Sequence, residues 1–148
     1  MGFLTGKTAI ITGGGRAVLS NGECGSIGYG IATAYAKEGA NLVLTGRNVQ
    51  KLTDAKEELE KKYGIKVLPV QAHVSAGSDN EAIVQNVVKQ AIDTFGRIDV
   101  LINNAQASAS GVTIADHTTE QFDLSVYSGL YAAFYYMKAC YPYLKETK

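Results

Sequence analysis

Cysteine is scarce in this sequence: Cys24 and Cys140 are the only two in 148 residues, far apart and without metal-ligand spacing. That excludes a disulfide-stapled scaffold and a cysteine metal site, and it suits reduced thiols in a cytoplasmic protein. An excess of charge of either sign is lacking too. Lysine and arginine number 14, as do aspartate and glutamate, with no block of like charge. Nothing therefore draws the chain to nucleic acid or to an anionic membrane. No apolar run reaches membrane-spanning length, and Met1-Gly2-Phe3-Leu4-Thr5-Gly6-Lys7 is too short and polar for a signal peptide. Internal repeats and low-complexity segments are absent as well. The expectation is one soluble intracellular domain, with chain enough for a real core.

Glycine, by contrast, is abundant and unevenly spread: eleven of the 16 fall in the first 46 residues. Loops there must carry special backbone geometry. The run Thr12-Gly13-Gly14-Gly15 follows a short apolar stretch, Thr8-Ala9-Ile10-Ile11. It leads through Ser26-Ile27-Gly28-Tyr29-Gly30-Ile31-Ala32 into a helical pattern that ends near Glu38-Gly39. A glycine turn between a buried strand and a helix lets the backbone approach a pyrophosphate, and the helix N-terminus favours the anion. Strand, glycines, helix and a second strand over Asn41–Thr45 come in the order that a dinucleotide-binding unit requires.

The rest of the chain continues that alternation. Leu52, Ala55, Leu59 and Tyr63 repeat at helical spacing, and Gly64 is placed as a C-cap. Lys66-Val67-Leu68-Pro69-Val70-Gln71 reads as a strand, and its proline predicts a sheet edge because proline cannot donate to the ladder. Val84, Val87, Val88, Ala91 and Phe95 form one stripe of a helix over 82–95, and Ile98–Asn103 reads as a fourth buried strand. Four strand–helix repeats predict an α/β fold: a doubly wound, mostly parallel sheet of Rossmann type. A flavodoxin-like domain has the same alternation and stands as the alternative. The last segment, about 118–143, leaves almost no polar face, so it is expected to be buried on one side by the sheet and on the other by a second subunit. Six of the nine tyrosines lie between Tyr127 and Tyr143, as packing residues or as the lining of a site.

Two positions carry chemistry. Thr45-Gly46-Arg47-Asn48 closes the second strand, where an acidic residue would bind a ribose 2′-hydroxyl and an arginine would accommodate a 2′-phosphate. Gly46 leaves room there, and Arg47 offers a planar cationic fork, which favours NADP over NAD. The alternative is a solvated arginine at a helix start. Asn103-Asn104-Ala105-Gln106 follows the fourth strand, at the carboxyl edge where open parallel sheets bind ligands. Its amides serve either as ligand contacts or as a cap.

Together these features resemble the short-chain dehydrogenase/reductase family. The glycine turn, the arginine after the second strand and the Asn-Asn-Ala motif occur in the family's order along the whole chain. Ser26–Ala32, Asn103–Gly111 and Tyr127-Ser128-Gly129-Leu130-Tyr131 are similar, more narrowly, to the bacterial bile-acid hydroxysteroid dehydrogenases. The resemblance implies an NADP-dependent oxidoreductase that interconverts a secondary alcohol and a ketone on a steroid. It implies cofactor contacts at Gly13, Gly15, Arg16, Ser26, Ile27, Arg47, His73, Val74, Asn104 and Ala105, no metal, and a homo-oligomer for the complete enzyme. Departures are visible: Gly13 and Gly28 lie further apart than in the family's usual loop, so residues 16–24 form an insertion. Ser26 replaces the family's middle glycine, His73 its adenine-binding aspartate and Gln106 its last motif glycine. The serine keeps a 3-oxoacyl or enoyl thioester reductase as an alternative function, beside a non-catalytic nucleotide-binding module.

Ser128, Tyr141 and Lys145 match the spacing of the family's catalytic serine, tyrosine and lysine. On one helix, however, thirteen residues separate the first two by roughly 20 Å, and Pro142 is expected to interrupt the turn between Tyr141 and Lys145. No catalytic residue is therefore assigned in residues 1–148. They are expected to be the N-terminal, cofactor-binding part of a longer dehydrogenase, truncated after the fourth strand and its helix.

Overall fold

The computed structural model describes residues 2–148 and holds four parallel strands in the order β3-β2-β1-β4. The strands are β1 (Thr8–Thr12), β2 (Asn41–Gly46), β3 (Val67–Gln71) and β4 (Val100–Ile102). Between them run α1 (Ile27–Lys37), α2 (Val49–Tyr63) and α3 (Asn80–Phe95). After β4 come α4 (Thr119–Ser125), a π-helical segment (Val126–Tyr131) and α5 (Ala132–Glu146).

Strand alternation sorts the side chains into two cores. Ala9, Ile11, Leu42 and Leu44 pack under α1 and α2 with Tyr29, Ala32, Leu52 and Leu59. Ile10 and Val43 point the other way, into α3 and α5, against Val84, Val87, Ala91, Tyr136 and Cys140. Both sheet faces are thus covered by helices, the doubly wound arrangement. Burial pushes the Cys140 thiol up to about 12, so it acts as an inert packing group.

Local chemistry sets the element ends. Ser26, Asn48 and Asp79 each accept from a backbone N–H in the first turn of α1, α2 and α3. Gly64 and Gly96 close α2 and α3 in the left-handed conformation. Pro69 lies in β3, and β3 is an edge strand, as its missing donor requires.

Several strand ends shift by one residue from the sequence reading, and three larger differences stand out. The fourth strand is three residues long rather than six. Asp99 still donates its N–H to Thr8 O at 2.9 Å, but its carboxylate takes the Thr8 N–H at 2.8 Å and pairs with Arg97 and Lys7, so the regular ladder starts at Val100. Secondly, α3 begins at Asn80, whose side chain closes a loop onto Ser75. Thirdly, Pro142 does not interrupt the last helix. It lies inside α5, which is held on both sides of it by buried Tyr136 and Cys140 and by the Thr147 hydroxyl donating to Ile98 O at 2.9 Å.

The last segment buries one side only. Ala132, Tyr136 and Cys140 enter the core, while Leu130, Phe134, Met137 and Tyr141 form an exposed stripe at helical spacing. Among the described residues no helix is long and apolar enough to cross a membrane.

Candidate functional site

The carboxyl ends of β1, β2 and β4 open onto a cleft of about 370 Å³, where ligands bind in open parallel sheets. Its floor is a knot between β1 and β4. Thr12 Oγ1 accepts from Asn104 N–H at 3.0 Å and from Ala105 N–H at 2.9 Å. Asn104 Nδ2 donates back to Thr12 O at 3.0 Å. The knot holds Gly13 at φ 69°, a conformation that costs glycine nothing. Above it sits the N-terminus of α1, drawn in so close that a Cβ on Gly28 would lie 2.1 Å from Gly13 O.

Eight of the ten residues expected from sequence meet in this cleft: Gly13, Gly15, Ser26, Arg47, His73, Val74, Asn104 and Ala105. Arg16 and Ile27 do not. The Ile27 side chain is exposed at the first position of α1. The Arg16 guanidinium turns onto α2 and pairs with Glu58. Sequence reasoning missed Lys51, Thr12 and Ser128 as parts of the site. Thr12 was legible as the residue before the glycine turn, whereas nothing local marks Lys51.

The insertion explains Arg16. Residues 16–25 fold as a small hairpin, with Val18 bridged to Cys24 and Gly25 N–H donating to Ala17 O at 2.7 Å. Arg16 N–H donates to Lys51 O at 2.7 Å, and its side chain clasps Glu58, fixing the hairpin to α2. Lys62 and Arg16 together hold the Glu58 carboxyl at about 2, below its ordinary 4.5. A carboxyl lowered by folding stabilises the fold above its unfolded pKa and ceases to as pH falls through the folded one. Glu58→Gln is therefore expected to cost about 1 kcal/mol at neutral pH, a partly solvated pair being worth no more. The difference from the parent should vanish between about pH 4.5 and 2 in urea melts. A difference that persists at the acid end would assign the effect to packing instead.

The electrostatics of the cleft are one-sided. Arg47 and Lys51 stand on its α2 wall, and no aspartate or glutamate lines it. A glycine turn, a helix N-terminus, backbone donors and two cations fit an anionic nucleotide.

Ser128 also reaches the cleft, but its hydroxyl is engaged. It accepts from Ala107 N–H at 2.8 Å, with Leu124 O at 2.6 Å as acceptor for its own proton. It thereby ties the loop after β4 to the π-helical segment. Tyr141 is exposed and away from the cleft. Tyr136 does line it, and burial pushes that phenol up to about 12.

The family model described as short chain dehydrogenase matches residues 7–148. The chain belongs to the short-chain dehydrogenase family. A 12alpha-hydroxysteroid dehydrogenase of Clostridium sp. is 64% identical to it over 148 residues, all of this chain and 54% of that protein. The crystal structure of L-sorbose reductase from Gluconobacter frateurii, complexed with NADPH and L-sorbose, superposes with a TM-score of 0.80 at 31% identity. It is covered to 50%, against 99% of this chain. An alcohol dehydrogenase from Thermococcus sibiricus complexed with 5-hydroxy-NADP gives a TM-score of 0.82 at 28% identity, covering 95% of this chain and 54% of that one. This short-chain dehydrogenase spans about half the length of the Clostridium enzyme and of a Bacillus subtilis oxidoreductase that it also matches, at 54% and 46%.

Proposed function

We propose that the chain is the cofactor-binding part of an NADP-dependent hydroxysteroid dehydrogenase, which interconverts a secondary alcohol and a ketone. The observation that carries this reading is the carboxylate-free cleft with Arg47 on its wall. The 64% identity with a 12alpha-hydroxysteroid dehydrogenase supports a steroid hydroxyl as the substrate. The NADP(H) complexes among similar solved structures support the phosphorylated cofactor.

When bound, the nicotinamide accepts or supplies the hydride. The protein's own part is placement. Gly13 and Gly15 bring main chain close to the diphosphate, and the capped N-terminus of α1 at Ser26 faces its charge. Arg47 supplies a fork for the 2′-phosphate. Asn104 and Ala105, knotted to Thr12, form the floor toward the reacting end, while His73 and Val74 flank the adenine end. Arg16 and Ile27 have no part in this proposal.

The exposed stripe of Leu130, Phe134, Met137 and Tyr141 supports self-association, since contiguous apolar surface of this kind marks an interface. The free thiols Cys24 and Cys140 support a cytoplasmic setting.

A chimera tests the function. Residues 1–148 replace the matching segment of the Clostridium 12alpha-hydroxysteroid dehydrogenase, and alcohol oxidation is followed by NADPH absorbance. Turnover comparable with the parent enzyme is expected on a 12alpha-hydroxysteroid. A chimera that folds and binds NADPH but oxidises no hydroxysteroid would overturn the assignment in favour of a thioester reductase or a binding module.

A further inference from the structure

The start of α2 carries positive charge that does not favour the helix. Its first turn contains no acidic residue and does contain Lys51. A helix N-terminus already bears partial positive charge, so a lysine there opposes the helix. Arg47 stands just ahead of the Asn48 cap, adding a second cation to the same wall. Local conflicts of this sort mark positions chosen for something other than stability.

Both cations are available. Among the described residues neither Arg47 nor Lys51 takes part in an ion pair. Arg16, a cofactor contact by the family resemblance, is instead paired with Glu58 in a surface groove outside the cleft. The backbone of Lys51 is meanwhile fixed. Its N–H donates to Asn48 Oδ1 at 3.0 Å, and its carbonyl accepts from Arg16 N–H at 2.7 Å. Gly15 lies against it, so that a Cβ there would meet Lys51 Cβ at 3.1 Å.

We infer that Lys51 is the second cation, beside Arg47, that reads the 2′-phosphate of NADP, and that Glu58 keeps Arg16 out of this role. The inference rests on the NADP reading above. The two side chains divide the work by chemistry: Arg47 offers a planar fork, Lys51 a mobile point charge on a flexible stem. A doubly charged phosphate is well matched to two such partners in a site without a competing carboxylate.

Equilibrium titration of the 148-residue protein with NADPH, NADH, 2′,5′-ADP and 5′-AMP separates the contributions. Lys51→Met keeps the stem and removes the charge. It should weaken NADPH and 2′,5′-ADP about tenfold, as loss of one charge-assisted contact implies, and leave NADH and 5′-AMP unchanged. Its melting temperature should hold or rise, because the charge opposing the helix is gone. Lys51→Arg should retain the preference, Arg47→Met should lose it, and Arg16→Met should leave all four affinities as they are. An unaltered preference in Lys51→Met, with Arg47→Met still defective, would overturn Lys51 alone and spare the NADP reading. An unaltered preference in both variants would overturn both. Loss of preference in Arg16→Met would return the role to Arg16.

Discussion

Gly28→Ala is expected to cost about 3 kcal/mol or more and to abolish nucleotide binding. The added Cβ would lie 2.1 Å from Gly13 O and 2.5 Å from Asn104 Nδ2. Neither neighbour can yield freely, since Gly13 is main chain and Asn104 is tied to Thr12 O at 3.0 Å. Overpacking at a rigid contact costs about 1–3 kcal/mol, and here it also levers α1 away from the glycine turn. Gly30 is the matching control. It lies two positions along the same helix, and a Cβ there meets only Cys24 Cβ at 3.8 Å. Gly30→Ala should therefore gain about 0.5–1 kcal/mol through the better helix propensity of alanine. Urea denaturation of the two variants checks the pair. Equal effects would show that α1 does not depend on close approach at Gly28.

Thr12→Val should also be damaging, at about 1–2 kcal/mol, although it keeps the shape of the side chain. The Thr12 hydroxyl is the sole side-chain acceptor for the N–H groups of Asn104 and Ala105 among the described residues. Valine leaves Ala105 N–H without a protein partner and Asn104 N–H with Ile102 O alone, at 3.2 Å, in a half-buried place, and a lost bond of this kind costs about 1–3 kcal/mol. Thr12→Ser restores the acceptor and should recover most of the loss. Chemical denaturation with a parallel NADPH titration measures both effects. Valine tolerated without loss would mean that water substitutes for the hydroxyl and that the knot does not hold the cleft floor.

The architecture was legible because the signals for it are local or periodic. The apolar runs of β1 and β2, the helical stripes of α2 and α3, Gly64 as a left-handed cap and Pro69 at an edge each act within a few residues. The site was legible where a motif brings main chain to one place, as at Gly13, Asn104 and Ala105. It was not legible where a side chain chooses between two partners. Arg16 has the character of a phosphate ligand, yet Glu58, forty-two positions away, takes it. Lys51 has the look of a solvated helix residue and lies in the cleft only because α2 packs where it does. Gly28 and Gly30 look alike in their motif, and only the approach of α1 to β1 distinguishes them. The π-helical segment at Val126–Tyr131 has no simple periodic signature, and the sequence reading passed over it as ordinary helix.

The contact between Thr12 and Asn104 joins residues 92 positions apart, and that span dictates the order in which the molecule can mature. While the chain emerges from the ribosome, β1, α1 and β2 are available to pair long before β4 exists. The glycine turn can be tied early to β2 and α2, with Gly14 N–H donating to Thr45 O at 3.1 Å and Arg16 N–H to Lys51 O at 2.7 Å, but its closure onto Asn104 and Ala105 waits until residue 105 has arrived. Closure of so long a loop is slow and entropically costly. Nucleotide should therefore not template the early intermediate. It should bind only after β4 has docked, and then act as a latch on the finished sheet, slowing unfolding while leaving the rate of folding unchanged.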